Sequence, residues 1–117
     1  MILQVLTGVT GTLGANILNF LRFGTTNNKI ARVICLVRAK NDEEARTRVE
    51  KALLYHRSYP QVISSTEIEC IAAKLDQEDL GLLPYALDDI RQHATTIIHV
   101  TSPQLHIMAD KITESII

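Results

Sequence analysis

Short apolar runs alternate along this chain with segments whose apolar residues recur every three or four positions, the mark of strands alternating with amphipathic helices. Residues 2–6 form the first run and predict a strand. A glycine-rich turn follows, then a helical pattern at roughly 14–23 with Ile17, Leu18 and Leu21 on one face; Gly24 and Asn27-Asn28 end it. Residues 31–37 are almost continuously apolar, as expected of a parallel strand covered on both faces. The stretch 42–57 is charged and periodic, with Ala45, Val49, Ala52 and Leu53 on one side. Asn41 or Asp42 can cap this helix, acidic residues fill its first turn, and Pro60 marks its end. A third strand is expected at 67–73, a polar loop at 74–83 and a helix at 84–93 with Pro84 in its first turn. A fourth strand at 95–101 and a last helix at 104–116 complete the pattern.

Strand–helix alternation with short connections implies right-handed crossovers and an open parallel sheet. The expected strand order is 3-2-1-4, one half of a doubly wound dinucleotide fold plus the step across its switch point. The fold class is therefore α/β: a Rossmann-type parallel sheet with flanking helices, truncated after about four strands. Complete folds of this type carry further strands, so residues 1–117 are read as one partial domain of this fold whose fourth strand keeps an open edge.

Composition narrows the picture only a little. Hydrophobic residues at 46% and charged residues at 21% describe an ordinary globular chain rather than a disordered one. A net charge of -1 supplies no overall drive toward nucleic acid or an anionic membrane. No apolar run reaches the ~20 residues of a membrane span, and the first residues lack the form of a secretory signal. Cys35 and Cys70 sit in apolar runs and read as small core hydrophobes rather than as a disulfide or metal pair. A reducing, cytoplasmic setting follows.

The chemistry begins at Thr7-Gly8-Val9-Thr10-Gly11-Thr12-Leu13-Gly14, between the first strand and the first helix. Gly8 lets the chain leave the strand sharply, Gly11 lets a pyrophosphate approach bare backbone, and Gly14 lets the helix pack close. The helix start then presents free amides and its positive dipole end to phosphate. An ordinary tight strand–helix turn is the plainer alternative.

Leu36-Val37-Arg38-Ala39 closes the second strand. NAD-preferring folds carry Asp or Glu here, which accepts hydrogen bonds from the ribose hydroxyls; a guanidinium suits a 2′-phosphate instead. Arg48, ten residues on, can fold back toward the same phosphate, or it can belong with Arg46 and Lys51 to a solvated helix face. At the end of the fourth strand, Thr101 and Ser102 either contact cofactor or cap the next helix. His99 reads as a packed histidine with its nitrogens satisfied rather than as a base. The four histidines are dispersed, with no metal-ligand spacing.

Taken together, Thr7–Gly14, Cys35-Leu36-Val37-Arg38-Ala39, Ala45 with Arg48 and Leu53, Leu80-Gly81-Leu82 and Ile97-Ile98-His99 resemble the NAD-binding domain of thioester reductase domains, carboxylic acid reductases and fatty acyl-CoA reductases. These are members of the extended short-chain dehydrogenase/reductase superfamily, and the resemblance spans essentially the whole chain. It implies reduction of an acyl thioester to aldehyde or alcohol by hydride from NADPH, with an acyl carrier domain as partner in full-length relatives. It also implies that Thr7, Gly8, Thr10, Gly11, Thr12, Leu13 and Gly14 hold the pyrophosphate and that Arg38 and Arg48 hold the 2′-phosphate. Where the family has Gly-Asp-Leu near the adenine, this chain has Ala73-Lys74-Leu75, so Lys74 and Leu75 take that place, Lys74 adding charge near the phosphate. The family's loop after the fourth strand is altered here by Pro103.

The superfamily's chemistry also needs a Tyr with a Lys four residues later, the Lys lowering the pKa of the proton-donating Tyr. Tyr55, Tyr59 and Tyr85 are followed at that spacing by Tyr59, Ile63 and Asp89. The chain is thus expected to be the NADPH-binding portion of such a reductase, inactive alone, or else a non-catalytic NADP(H)-binding or regulatory module.

Overall fold

The computed structural model describes residues 2–23, 30–55, 67–100 and 112–116. The expected sites Thr101 and Ser102 lie outside them, as do Pro103, the helix-ending Gly24 and Asn27-Asn28, and Pro60. The elements in order are β1 (Ile2–Thr7), α1 (Thr12–Phe23), β2 (Ile30–Arg38), α2 (Asp42–Tyr55), β3 (Glu67–Ala73), α3 (Pro84–His93) and β4 (Thr96–His99). Residues 112–116 are helical.

All strand pairs are parallel, in the order β3-β2-β1-β4. Alternation along each strand divides the core in two. Leu3, Val5, Ile34 and Leu36 join Leu87 and Ile90 of α3 on one face. Leu6, Val33, Cys35 and Val37 meet Leu18 and Leu21 of α1 and Ala45 and Val49 of α2 on the other. Five successive residues of β2, Val33 to Val37, are buried, which explains its unbroken apolar run. Each fully buried Leu or Ile contributes about 1.5–3 kcal/mol to this core.

An ion cluster fastens α3 to the sheet. The Arg32 guanidinium on β2 donates to Glu69 of β3 at 2.8 Å and to Asp89 of α3 at 2.9 Å. Those two carboxylates hold Arg32 firmly protonated, and Arg32, together with His93, holds Asp89 below the usual carboxylate range.

The fourth strand, expected at 95–101, is shorter at Thr96–His99, with Thr95 and Val100 outside it, and two further features depart from the sequence expectation. α1 starts at Thr12, two residues early, because the Gly11 carbonyl already accepts the Ala15 amide at 2.9 Å. The expected polar loop at 74–83 contains a 3-10 turn at Glu78–Gly81. Asp79, Leu80 and Gly81 all have left-handed backbone, at φ 53, 56 and 65. Such a conformation costs about 1–2 kcal/mol at each non-glycine residue. Burial of Leu80 in the α3-side core offsets it, at about 1.5–3 kcal/mol. The Leu80 carbonyl also accepts the Lys74 amide at 2.7 Å, closing the loop on itself.

Candidate functional site

The carboxyl ends of the strands open into a cleft of about 960 Å³. Its floor is the turn after β1. Gly8 has φ +70, and a Cβ there would overlap the Val100 backbone just beyond β4. A Cβ on Gly14 would overlap the Gly8 carbonyl and come within 2.8 Å of the Val9 Cα. Those two glycines are required by the chain's own packing. Gly11 is different: a Cβ there would meet only the Gly8 carbonyl oxygen, at an ordinary 3.7 Å. No atom of the described residues explains why it lacks a side chain, whereas a ligand lying along the bare backbone would.

The first turn of α1 suits an anion. Its first intrahelical bond is donated by Ala15, so the Thr12, Leu13 and Gly14 amides precede the helical ladder. No acidic residue occupies that turn, leaving the positive dipole end uncompensated. Thr10 lines the cleft; Gly11, Thr12 and Leu13 are exposed but are not among its lining residues, and Gly14 is buried.

The far wall is cationic. Arg38 at the end of β2 is exposed, and among the described residues no carboxylate pairs with it. Arg48 folds back from α2 and donates a hydrogen bond to the Arg38 backbone carbonyl. It keeps only a loose ion pair with Glu44, at 3.8 Å. Both arginines line the cleft, as do Lys74 and Leu75 beyond β3. The structure therefore brings Gly8, Thr10, Arg38, Arg48, Lys74 and Leu75 around one space. Lys40, Asp76 and Gln77 line it too and were not singled out from sequence. Lys40 was within reach, two residues past Arg38. Asp76 and Gln77 arrive through the unexpected turn, which begins with the Gln77 amide donating to the Lys74 carbonyl at 3.0 Å. The lining holds four cationic side chains (Arg38, Lys40, Arg48 and Lys74) against two anionic ones (Glu44 and Asp76), so its field favours an anion.

Two residues behave differently from expectation. The Thr7 side chain is fully buried, its hydroxyl lying 2.6 Å from Nδ1 of His99 rather than facing the cleft. The residue as a whole is buried and does not line the cleft. His99 is packed, but its nitrogens are not both satisfied. Nε2 is buried and has no hydrogen-bond partner among the described residues. Burial pushes the His99 pKa below its ordinary value, so the ring is held neutral. This half-buried ring lines the cleft beside Gly8 and Val100.

The site's features therefore fit a dinucleotide: a helix start without acids, a glycine whose missing side chain opens space, and cations on the opposite wall. Among the described residues no group of His, Cys, Asp or Glu could hold a metal ion, and no helix is long and apolar enough to cross a membrane.

Comparison with known proteins points the same way. An NAD-binding family model described as "Male sterility protein" matches residues 6–107. The chain is 34% identical over 94 residues to the non-canonical nonribosomal peptide synthetase cpsA of Aspergillus campestris (strain IBT 28561), covering 80% of this chain and 9% of that protein. It is similar in structure to the terminal R domain from the myxalamid PKS-NRPS biosynthetic pathway, with a TM-score of 0.73 and 28% identity over 87% of this chain and 25% of that one. The reductase (R) domain of a nonribosomal peptide synthetase from Mycobacterium tuberculosis gives a TM-score of 0.69 and 30% identity, over 86% of this chain and 24% of that one. The chain thus spans less than a tenth of the synthetase and about a quarter of the solved reductase domains.

Proposed function

This chain belongs to the NAD-binding family described as "Male sterility protein", and from that premise we propose that it is the NADPH-binding portion of a reductase acting on acyl thioesters. The observation that carries the NADPH preference is Arg38. Its guanidinium lines the cleft with no carboxylate partner among the described residues, where an NAD-preferring fold carries an acid. Arg48, fixed on the Arg38 carbonyl, adds a second guanidinium to the same wall. Two such forks recognise a 2′-phosphate by charge and by paired hydrogen bonds.

In this reading the backbone of Thr7, Gly8, Thr10, Gly11, Thr12, Leu13 and Gly14 holds the pyrophosphate against the start of α1. Lys74 and Leu75 border the adenosine end, and Thr101 and Ser102, the next residues in sequence after Val100, are further cofactor contacts in this reading. Nicotinamide dinucleotide supplies hydride when bound; this chain's own work is to bind it, orient it and select its phosphorylated form. The acceptor is a carrier-bound acyl thioester, reduced to aldehyde or alcohol by the longer enzymes of this type. No Tyr here is followed four residues later by Lys, so the chain by itself binds without turning over.

Fluorescence titration with NADPH and NADH tests the assignment. Arg38→Ala weakens NADPH binding by on the order of 1.5–3 kcal/mol, as for a lost charge-assisted hydrogen bond, and leaves NADH nearly unchanged. Equal losses for both nucleotides remove the 2′-phosphate role.

A further inference from the structure

Beneath α2 the chain's two cysteines face each other. Cys35 of β2 and Cys70 of β3 are register partners in parallel strands, so both side chains leave the sheet on the same side. Adjacent strands lie about 4.8 Å apart, within the roughly 4.4–6.8 Å Cα separation that a disulfide spans. Both residues belong to the α2-side core, Cys35 fully buried and Cys70 half-buried, and both are free thiols. Their environments are unequal. Hydrogen bonding from Cys35 lowers the Cys70 pKa, burial opposes this, and the charge of Arg46 assists. The same contact and deeper burial push the Cys35 thiol far up. The pair thus joins a half-buried thiol that ionises more readily to an enclosed one that stays protonated.

We propose that Cys35 and Cys70 form a dithiol that hydroperoxides oxidise, closing reversibly to an intrachain disulfide that staples β2 to β3. The Cys70 thiolate attacks the outer peroxide oxygen; the O–O bond breaks, the departing oxygen takes a proton, and Cys70 becomes a sulfenic acid. The Cys35 sulfur then attacks the Cys70 sulfur, the S–S bond forms, and the S–O bond breaks. The hydroxyl leaves with the Cys35 proton as water. Two electrons pass from the thiols to the peroxide, and a reducing thiol such as glutathione returns the pair by exchange. The staple lies three residues before Arg38 on β2 and beneath the helix that carries Arg48, so it joins the two strands whose ends line the cleft.

Treatment of the full chain with hydrogen peroxide, followed by thiol titration and peptide mass mapping, tests this. Because the chain has two cysteines, the expected reading is loss of both thiols together and a single linked Cys35–Cys70 peptide, reversed by dithiothreitol. In Cys70→Ser the remaining thiol resists peroxide; in Cys35→Ala, Cys70 is trapped by dimedone as the sulfenic acid. Should Cys35→Ala unfold, mapping of the unsubstituted chain decides alone. Cys70 oxidised beyond sulfenic acid while Cys35 stays free, or cross-links found only between chains, overturns the proposal.

Discussion

Two helices start at the carboxyl edge of the same sheet, and their first turns are built in opposite ways. α2 is closed internally. The Asn41 side chain accepts the Glu44 amide at 2.8 Å, and Asp42, Glu43 and Glu44 offset the dipole. Asp42 reaches further and accepts the Ala72 amide of β3 at 2.9 Å. α1 has none of this: its turn contains no acid, and its capping position is Gly11, which has no side chain to accept an amide. Both helices pack on the same face of the sheet, so stability alone does not explain the difference. A helix start deprived of internal acceptors keeps its amides for an external anion. The arginines of β2 repeat the contrast. Arg32 is saturated by Glu69 and Asp89, whereas Arg38, across the cleft from the turn after β1, has no carboxylate partner among the described residues.

The contrast can be broken by closing α1 as α2 is closed. Gly11→Asp puts a favoured capping carboxylate where the pyrophosphate is proposed to lie, and the backbone at Gly11 is not left-handed. Nucleotide affinity should fall by about 2–3 kcal/mol through charge repulsion, while unfolding stability rises by a few tenths of a kcal/mol. Calorimetric titration and denaturant melts read the two quantities separately; unchanged affinity would show that the α1 start is not the phosphate site.

The converse change opens α2. Asn41→Ala should cost about 1 kcal/mol of stability in a urea melt and leave nucleotide affinity unaltered. An affinity loss matching that at Gly11 would mean that both helix starts serve the ligand.

The smallest effect concerns His99, beside the open start. Its folded pKa is depressed by burial, so the unfolded chain binds a proton that the folded chain resists. The contribution is fully present above the ordinary histidine pKa of about 6.5 and is lost as pH falls from there through the lowered folded value. Relative to the native chain, His99→Asn should flatten the stability profile over that window. Parallel profiles for the two proteins would assign the acid sensitivity to other groups.

Much of the fold was legible because its signals are local. The unbroken apolar run of β2 told of burial on both faces, and the three-glycine turn told of a strand passing directly into a helix. Arg38 stood out because its place after Leu36 and Val37 marks a strand end. The turn at Glu78–Gly81 was not legible: its residues are largely polar, and its left-handed backbone depends on Leu80 reaching a core made by distant elements. The state of the His99 nitrogens was hidden as well, since Thr7 meets that ring only through pairing of β1 with β4.

By itself the sequence determined the alternation of elements, the order of the parallel strands and the glycine-rich turn that joins β1 to α1, because periodicity and glycine placement act over a few residues. Only the tertiary structure decided which charges are spent internally and which stay open, which of Asn41 and Asp42 caps α2, and that Cys35 stands opposite Cys70. Those outcomes depend on strand register and helix docking, which place residues far apart in the chain within a few ångströms of each other, and no local pattern encodes such distances.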